Sequence, residues 1–176
     1  MIQLFESVKS AMERGENVVL CSILASSGSA PRGAGAKMAV FQDGQTLGTI
    51  GGGAVERIAA RQATELFQTG ASYCQAFCLA PNQVNDIGMI CGGSVTVYFR
   101  FFDHENARDL ELIKTILELL ASGQDAWLVS RMEDGKITAM GTFDEAHGLR
   151  FAELDETMLR PWLTSSAVYR KGEPSY

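Results

Sequence analysis

Residues 46–66 read Thr-Leu-Gly-Thr-Ile-Gly-Gly-Gly-Ala-Val-Glu-Arg-Ile-Ala-Ala-Arg-Gln-Ala-Thr-Glu-Leu. An extended run, Thr46 to Ile50, passes straight into Gly51-Gly52-Gly53. Val55, Ile58, Ala59, Gln62 and Leu66 then keep a helical period until Gly70. A strand, a glycine turn and a helix in immediate succession point to an α/β fold in which the helix folds back on a sheet. Just upstream, Lys37 to Phe41 and Thr46 to Ile50 flank Gln42-Asp43-Gly44-Gln45, whose Asp-Gly signals a hairpin. Further upstream, Val18 to Ala25 is a nearly continuous apolar run suited to a central strand buried on both faces.

The rest of the chain extends this pattern. Phe5, Val8 and Met12 form one stripe of an amphipathic helix that Gly15 closes. Tyr73 to Leu79 and Ser94 to Phe102 read as strands, joined by the irregular stretch from Pro81 to Gly93. Asn106 caps a helix with Leu110, Ile113, Leu117 and Leu120 on one face, which ends at Gly123. Ala126 to Arg131 and Lys136 to Thr142 make a second hairpin around Glu133-Asp134-Gly135. The order helix, glycine, strand, turn, strand occurs over residues 6–50 and again over 111–142. The expected fold is thus a single α/β domain, with a mixed sheet flanked by helices and a pseudo-repeat of helix-strand-strand units. Residues 1–168 form that domain, and residues 169–176, polar and containing Gly and Pro, read as a linker-like tail.

Composition excludes several classes of function. The apolar class makes up 46% of the 176 residues, which is too much for a disordered chain. Fifteen basic against twenty-one acidic residues give a net charge of −6 without a basic cluster, so nucleic acid is not an expected partner. No apolar stretch approaches ~20 residues, and the N-terminus lacks the basic lead and apolar run of a secretion signal. The reading is cytoplasmic, without membrane contact, and the four cysteines are expected as reduced thiols. Glycine is the one skewed number. Eight of the 18 fall between Gly28 and Gly53, and Gly88, Gly92 and Gly93 follow.

Chemistry is therefore sought at those glycines. Gly51, Gly52 and Gly53 open a helix, where amides and the positive dipole end favour an anion, although a tight turn alone also calls for glycine. Gly28 and Gly33 have P-loop spacing, but Ala34 and Gly35 stand where Lys and Ser or Thr are required. Arg32 and Lys37 bracket the first loop and would supply a fork and a point charge to a phosphorylated ligand, or are simply solvated cations. Cys91, between Met89-Ile90 and Gly92-Gly93, is a candidate sulfur or metal ligand or a half-buried inert thiol. Cys74 and Cys78 lack the partners of a zinc set and read as sheet-face residues. Glu56 is either a first-turn acid favouring the helix dipole or a proton-handling group at the rim of the site. His104 and His147 have no candidate nucleophile beside them and are expected in solvent.

Three segments together resemble the XdhC/CoxI family of xanthine dehydrogenase accessory proteins, in its N-terminal domain: Gly28-Ser-Ala-Pro-Arg-Gly-Ala-Gly-Ala-Lys-Met38, Gly48-Thr-Ile-Gly-Gly-Gly-Ala-Val-Glu56 and Gly88-Met-Ile-Cys-Gly-Gly-Ser-Val95. The resemblance implies a maturation factor for molybdenum hydroxylases that binds the molybdenum cofactor as cargo and assists its sulfuration and insertion. It implies the apo-hydroxylase and a cysteine desulfurase as partners, and a second copy of the chain is a further expected partner that the sequence itself does not specify. Carried onto this sequence, Arg32, Lys37, Gly51, Gly52, Gly53, Glu56, Gly92 and Gly93 become cofactor-binding candidates, and Cys91 becomes the sulfur relay or molybdenum ligand. Many members carry a cysteine where this chain has Ala54, so Cys91 would act alone. Longer members continue into a C-terminal Rossmann-like domain. Two rivals use the same residues: a small phosphate- or nucleotide-ligand enzyme with Glu56 or Asp86 as base or metal ligand, and a pure docking module in which the glycines serve only as turns.

Overall fold

A computed structural model of the chain describes residues 1–27, 33–78, 94–134 and 136–163. Helix α1 (Ile2–Glu13) leads into strands β1 (Val18–Ser27), β2 (Lys37–Phe41) and β3 (Thr46–Gly48), then helix α2 (Gly53–Thr69). Strands β4 (Tyr73–Cys78) and β5 (Ser94–Phe102), helix α3 (Ala107–Ser122), and strands β6 (Ala126–Glu133), β7 (Lys136–Asp144) and β8 (Gly148–Arg150) follow. The described part closes with α4 (Glu156–Leu159) and a short 3-10 turn at Arg160–Trp162. The strands form one sheet in the order β3-β2-β1-β5-β4-β7-β6, with β8 beside β7.

The α/β domain is as the sequence predicts. Its sheet differs in one respect, because every strand pair among the described residues is antiparallel rather than mixed. Hairpins join β2 to β3 and β6 to β7, and a hairpin forces its strands antiparallel. The two helix-strand-strand units are both present as sequences of elements. They are placed differently, since β1 lies between β2 and β5 whereas β6 ends the row.

Strand alternation divides the interior in two. Val19, Cys21 and Ile23 of β1, with Met38 and Val40 of β2, face α2 and pack on its Val55, Ala59, Ala63 and Leu66. Val18 and Leu20, with Ala39 and Phe41, point to the other side and meet Leu4, Phe5, Val8 and Met12 of α1 and Leu112 and Ile116 of α3. A strand walled on both faces has no solvent face to show, which is why Val18 to Ala25 is apolar except for the buried Ser22. Strand β7 touches β4 at a single pair, Tyr73 with Lys136. That narrow hinge lets the β6–β7 hairpin curl toward α1 and α3, where Met140, Leu128 and Ile137 join their core.

Helix ends follow local chemistry. Asn106 Oδ1 accepts from the Arg108 amide at 3.0 Å, and Gly70 and Gly123 end α2 and α3 in the left-handed conformation. At the start of α3, Asp109 is 5% exposed and accepts from Arg100 at 2.5 Å and from the Asp103 amide at 3.0 Å. His104 departs from expectation. Its backbone and ring nitrogen both lie on Asn17 Oδ1, at 3.0 and 2.7 Å, so it is half-buried and ties the start of β1 to the end of β5. His147 is exposed, with Nδ1 2.8 Å from Asp144.

Candidate functional site

The site is built where β3 gives way to α2. Strand β3 stops at Gly48, two residues short of the predicted end, because Gly48 has φ +86°. A Cβ there would stand 2.5 Å from the Lys37 carbonyl oxygen and 3.1 Å from Leu4 Cδ1. Only glycine allows that approach. The same carbonyl accepts from the Thr49 amide at 2.9 Å, which turns the chain outward.

Gly51, Gly52 and Gly53 then adopt φ of 132°, 79° and 62° in succession, and α2 begins. Three consecutive positive values explain why three glycines are needed where an ordinary turn needs one. The backbone so bent collects donors around one atom. Glu56 Oε1 accepts from Thr49 Oγ1 at 2.5 Å, from the Ile50 amide at 3.0 Å and from the Gly52 amide at 2.8 Å. The Gly51 amide donates to Thr49 Oγ1 at 3.2 Å. Ala54 and Val55 are buried beneath the turn and Glu56 is half-buried beside it.

The turn is thus an anion nest that holds the chain's own carboxylate. Burial acts to raise the Glu56 pKa, but the hydrogen bonds from Thr49 and from the Gly52, Ile50 and Gly51 amides outweigh it and hold the carboxyl below its usual range. The Ile50 and Gly52 amides are engaged by Glu56 and the Gly51 amide by Thr49 Oγ1, so an anion that drew on the first two would have to replace that carboxylate. The signal in the sequence was Thr49 and Glu56 bracketing the glycines, an acid on the fourth helical residue reaching back much as a capping-box acid does.

Lys37 is not brought to this turn. Alternation along β2 sends Met38 and Val40 toward α2, so Lys37, with Ala39 and Phe41, faces the α1 side. The sheet stands between the Lys37 side chain and Gly51–Gly53. Lys37 Nζ donates to the Gly35 carbonyl at 3.3 Å, and burial pushes its pKa down.

Arg32, Asp86, Cys91, Gly92 and Gly93 lie outside the described residues, as does the tail from 169 to 176. The anchors of their segments are described. Ser27, the last residue of β1, pairs with Ser94, the first of β5, and Ser94 pairs with Cys78, the last of β4. Segments 28–32 and 79–93 therefore leave from adjacent positions at one end of the sheet. Strand β3 runs antiparallel to β2 and so in the direction of β1, which carries the glycine turn toward that same end.

Other polar groups nearby are structural. Gln62 of α2 donates to Gln75 of β4 at 2.6 Å. Cys21 is fully buried, and Cys74 Sγ lies 2.9 Å from Met132 Sδ with its pKa pushed up to about 11 by burial. Neither is a reactive thiol. Among the described residues, no group of three or more His, Cys, Asp or Glu is arranged to hold a metal ion. None of the described helices is long and apolar enough to cross a membrane.

Residues 11–77 match the model of the XdhC and CoxI family, a span that includes the first two of the three resembling blocks. Comparison with curated proteins gives no match. Among solved structures, the chain is similar to a crystal structure described as a xanthine dehydrogenase from Bacillus halodurans, with a TM-score of 0.73 and 19% identity. The match covers 88% of this chain and 45% of that one, so the chain spans less than half the length of its structural relative. At that identity the likeness is one of fold.

Proposed function

We propose that this chain is the cofactor-handling part of an XdhC/CoxI-type accessory protein. It holds the molybdenum cofactor as cargo and assists its sulfuration and its insertion into a molybdenum hydroxylase of the xanthine dehydrogenase type. The observation that carries this reading is the family match over residues 11–77, which takes in both the loop with Arg32 and the turn with Gly51–Gly53. The sheet supports it, since the segments bearing Arg32 and Cys91 start from neighbouring strand ends on the side to which the glycine turn points. Arg32 then meets the pterin phosphate and Cys91 receives the sulfur or the molybdenum, flanked by Gly92 and Gly93. The partners are the apo-hydroxylase and a cysteine desulfurase, with a second copy of the chain as a third, and the location is the cytoplasm.

In this reading Glu56 shapes the turn and reserves it. A phosphate-bearing cargo draws on the Ile50 and Gly52 amides only by displacing the carboxylate already held there, which disfavours weak anions. The rival enzyme reading loses ground for the same reason. A carboxylate that accepts three hydrogen bonds and is held below its usual range is a poor general base near neutral pH.

The test is an anaerobic titration of the reduced chain with molybdenum cofactor, followed by gel filtration and measurement of retained molybdenum and pterin. Stoichiometric retention by the wild type and its loss in Cys91→Ala are expected. No retention by a folded wild type, or equal retention by both, overturns the assignment of the cargo site to this part of the protein.

A further inference from the structure

The face opposite α2 carries a feature that the glycine turn does not use. A cavity of about 340 Å³ lies between α1, the C-terminal part of α3 and strand β6, lined by Phe5, Ile116, Leu120, Trp127 and Leu128. A second cavity of about 150 Å³ adjoins it, lined by Ser22, Tyr98, Ser130 and Trp162 among others. Lys37, Trp127 and Leu128 line both, so Lys37 stands at the junction. Cross-strand register explains the polar lining of the smaller chamber. Ser22 pairs with Lys37 on one side and with Tyr98 on the other, which sets three polar side chains in a row on one sheet face.

Lys37 is part-buried, and a lysine held against apolar surface is commonly paired with an acid. Here the Lys37 amine has the Gly35 carbonyl, burial lowers its pKa, and no carboxylate of the described residues is paired with it. A mostly apolar chamber with one cation and a few hydroxyls has the make-up of a small-molecule site. A phosphate would need several charge-assisted donors to repay its desolvation, whereas a monoanion with an apolar body needs one.

We infer that these joined cavities bind a small amphipathic carboxylate, its apolar body against Trp127, Leu128 and Leu120 and its carboxylate on the Lys37 amine. The site lies across the sheet from the glycine turn and involves neither Cys91 nor molybdenum, so its test is independent of the cargo reading.

The chain's two tryptophans both line the smaller cavity, and Trp127 lines the larger as well, so intrinsic fluorescence reports occupancy. Sodium octanoate is the probe and octanamide its neutral counterpart, titrated into the wild type and Lys37→Met, with the fold of each checked by circular dichroism. Saturable change with octanoate, at least ten-fold weaker binding of octanamide, and loss of that preference in Lys37→Met are expected. Equal affinity for the two compounds, an unaltered preference in Lys37→Met, or no saturable change in the folded wild type overturns the inference. If Lys37→Met does not fold, the comparison of the two compounds on the wild type decides.

Discussion

Removing the Glu56 carboxylate tests the central claim about the glycine turn. In Glu56→Ala the Thr49 hydroxyl and the Ile50 and Gly52 amides lose their common acceptor. Hydrogen bonds to a charged group contribute about 1.5–3 kcal/mol each when buried, but Glu56 is half-buried and water takes over part of the role, so the net loss for the set is about 2 kcal/mol. For a chain of this size that lowers Tm by about 4–8 °C. Glu56→Gln keeps an acceptor of the same reach without charge, and neutral bonds are about half as strong, which gives about 1 kcal/mol. The pH dependence separates charge from shape. The folded carboxyl titrates below the unfolded one, so its stabilisation is complete above the ordinary glutamate range near ~4.3 and is lost as pH falls through the lower folded value. Thermal melts of wild type and Glu56→Gln from neutral to acid pH should therefore converge as pH drops. The reasoning is refuted if Glu56→Ala melts within about 0.5 kcal/mol of wild type, the range of an ordinary surface change, or if the gap to Glu56→Gln is constant with pH.

Two further substitutions probe the elements that place the turn and the opposite cavity. Gly48→Ala puts a Cβ against the Lys37 carbonyl in a backbone conformation that L side chains resist, and should cost more than about 2 kcal/mol in urea unfolding; a loss under 0.5 kcal/mol would show that the strand end tolerates an ordinary backbone. Lys37→Met should raise Tm at neutral pH, because burial disfavours the charged amine. Its folded pKa lies below the unfolded one, so the wild type gains stability as pH rises between those two values, and the gap between variant and wild type should narrow toward alkaline pH; a gap that widens contradicts the burial.

The outline of the fold was legible because its elements are locally consistent. The apolar run from Val18, the Asp43-Gly44 hairpin, the Asn106 cap and the stops at Gly70 and Gly123 each name their element without help from the rest. The direction of the strands was not legible, since a helical crossover can return the chain either way and periodicity does not record which. At the site, three adjacent glycines marked the place, yet their reason lay in a single side chain. Glu56 sits on the first turn of α2, where an acid is ordinary, and only the folded positions of Thr49, Ile50 and Gly52 show that it closes the nest.

Lys37 illustrates the other limit. Its nearness in sequence to Arg32 and its neighbour Met38 suggested one basic loop, and motif spacing treats adjacent residues as co-located. A strand does the reverse, sending successive side chains to opposite faces. Met38 therefore packs under α2, beside the turn, while Lys37 enters the cavity shared with Trp127. In the proposed reading, one sheet separates two ligand chemistries. On one side, the Ile50 and Gly52 amides already bound by Glu56 would admit only an anion strong enough to displace it. On the other, the Lys37 amine, with the Gly35 carbonyl beside it in a mostly apolar cavity, would favour a weakly hydrated one. The Thr49 amide that starts the turn donates to the Lys37 carbonyl, so a single peptide unit joins the two places.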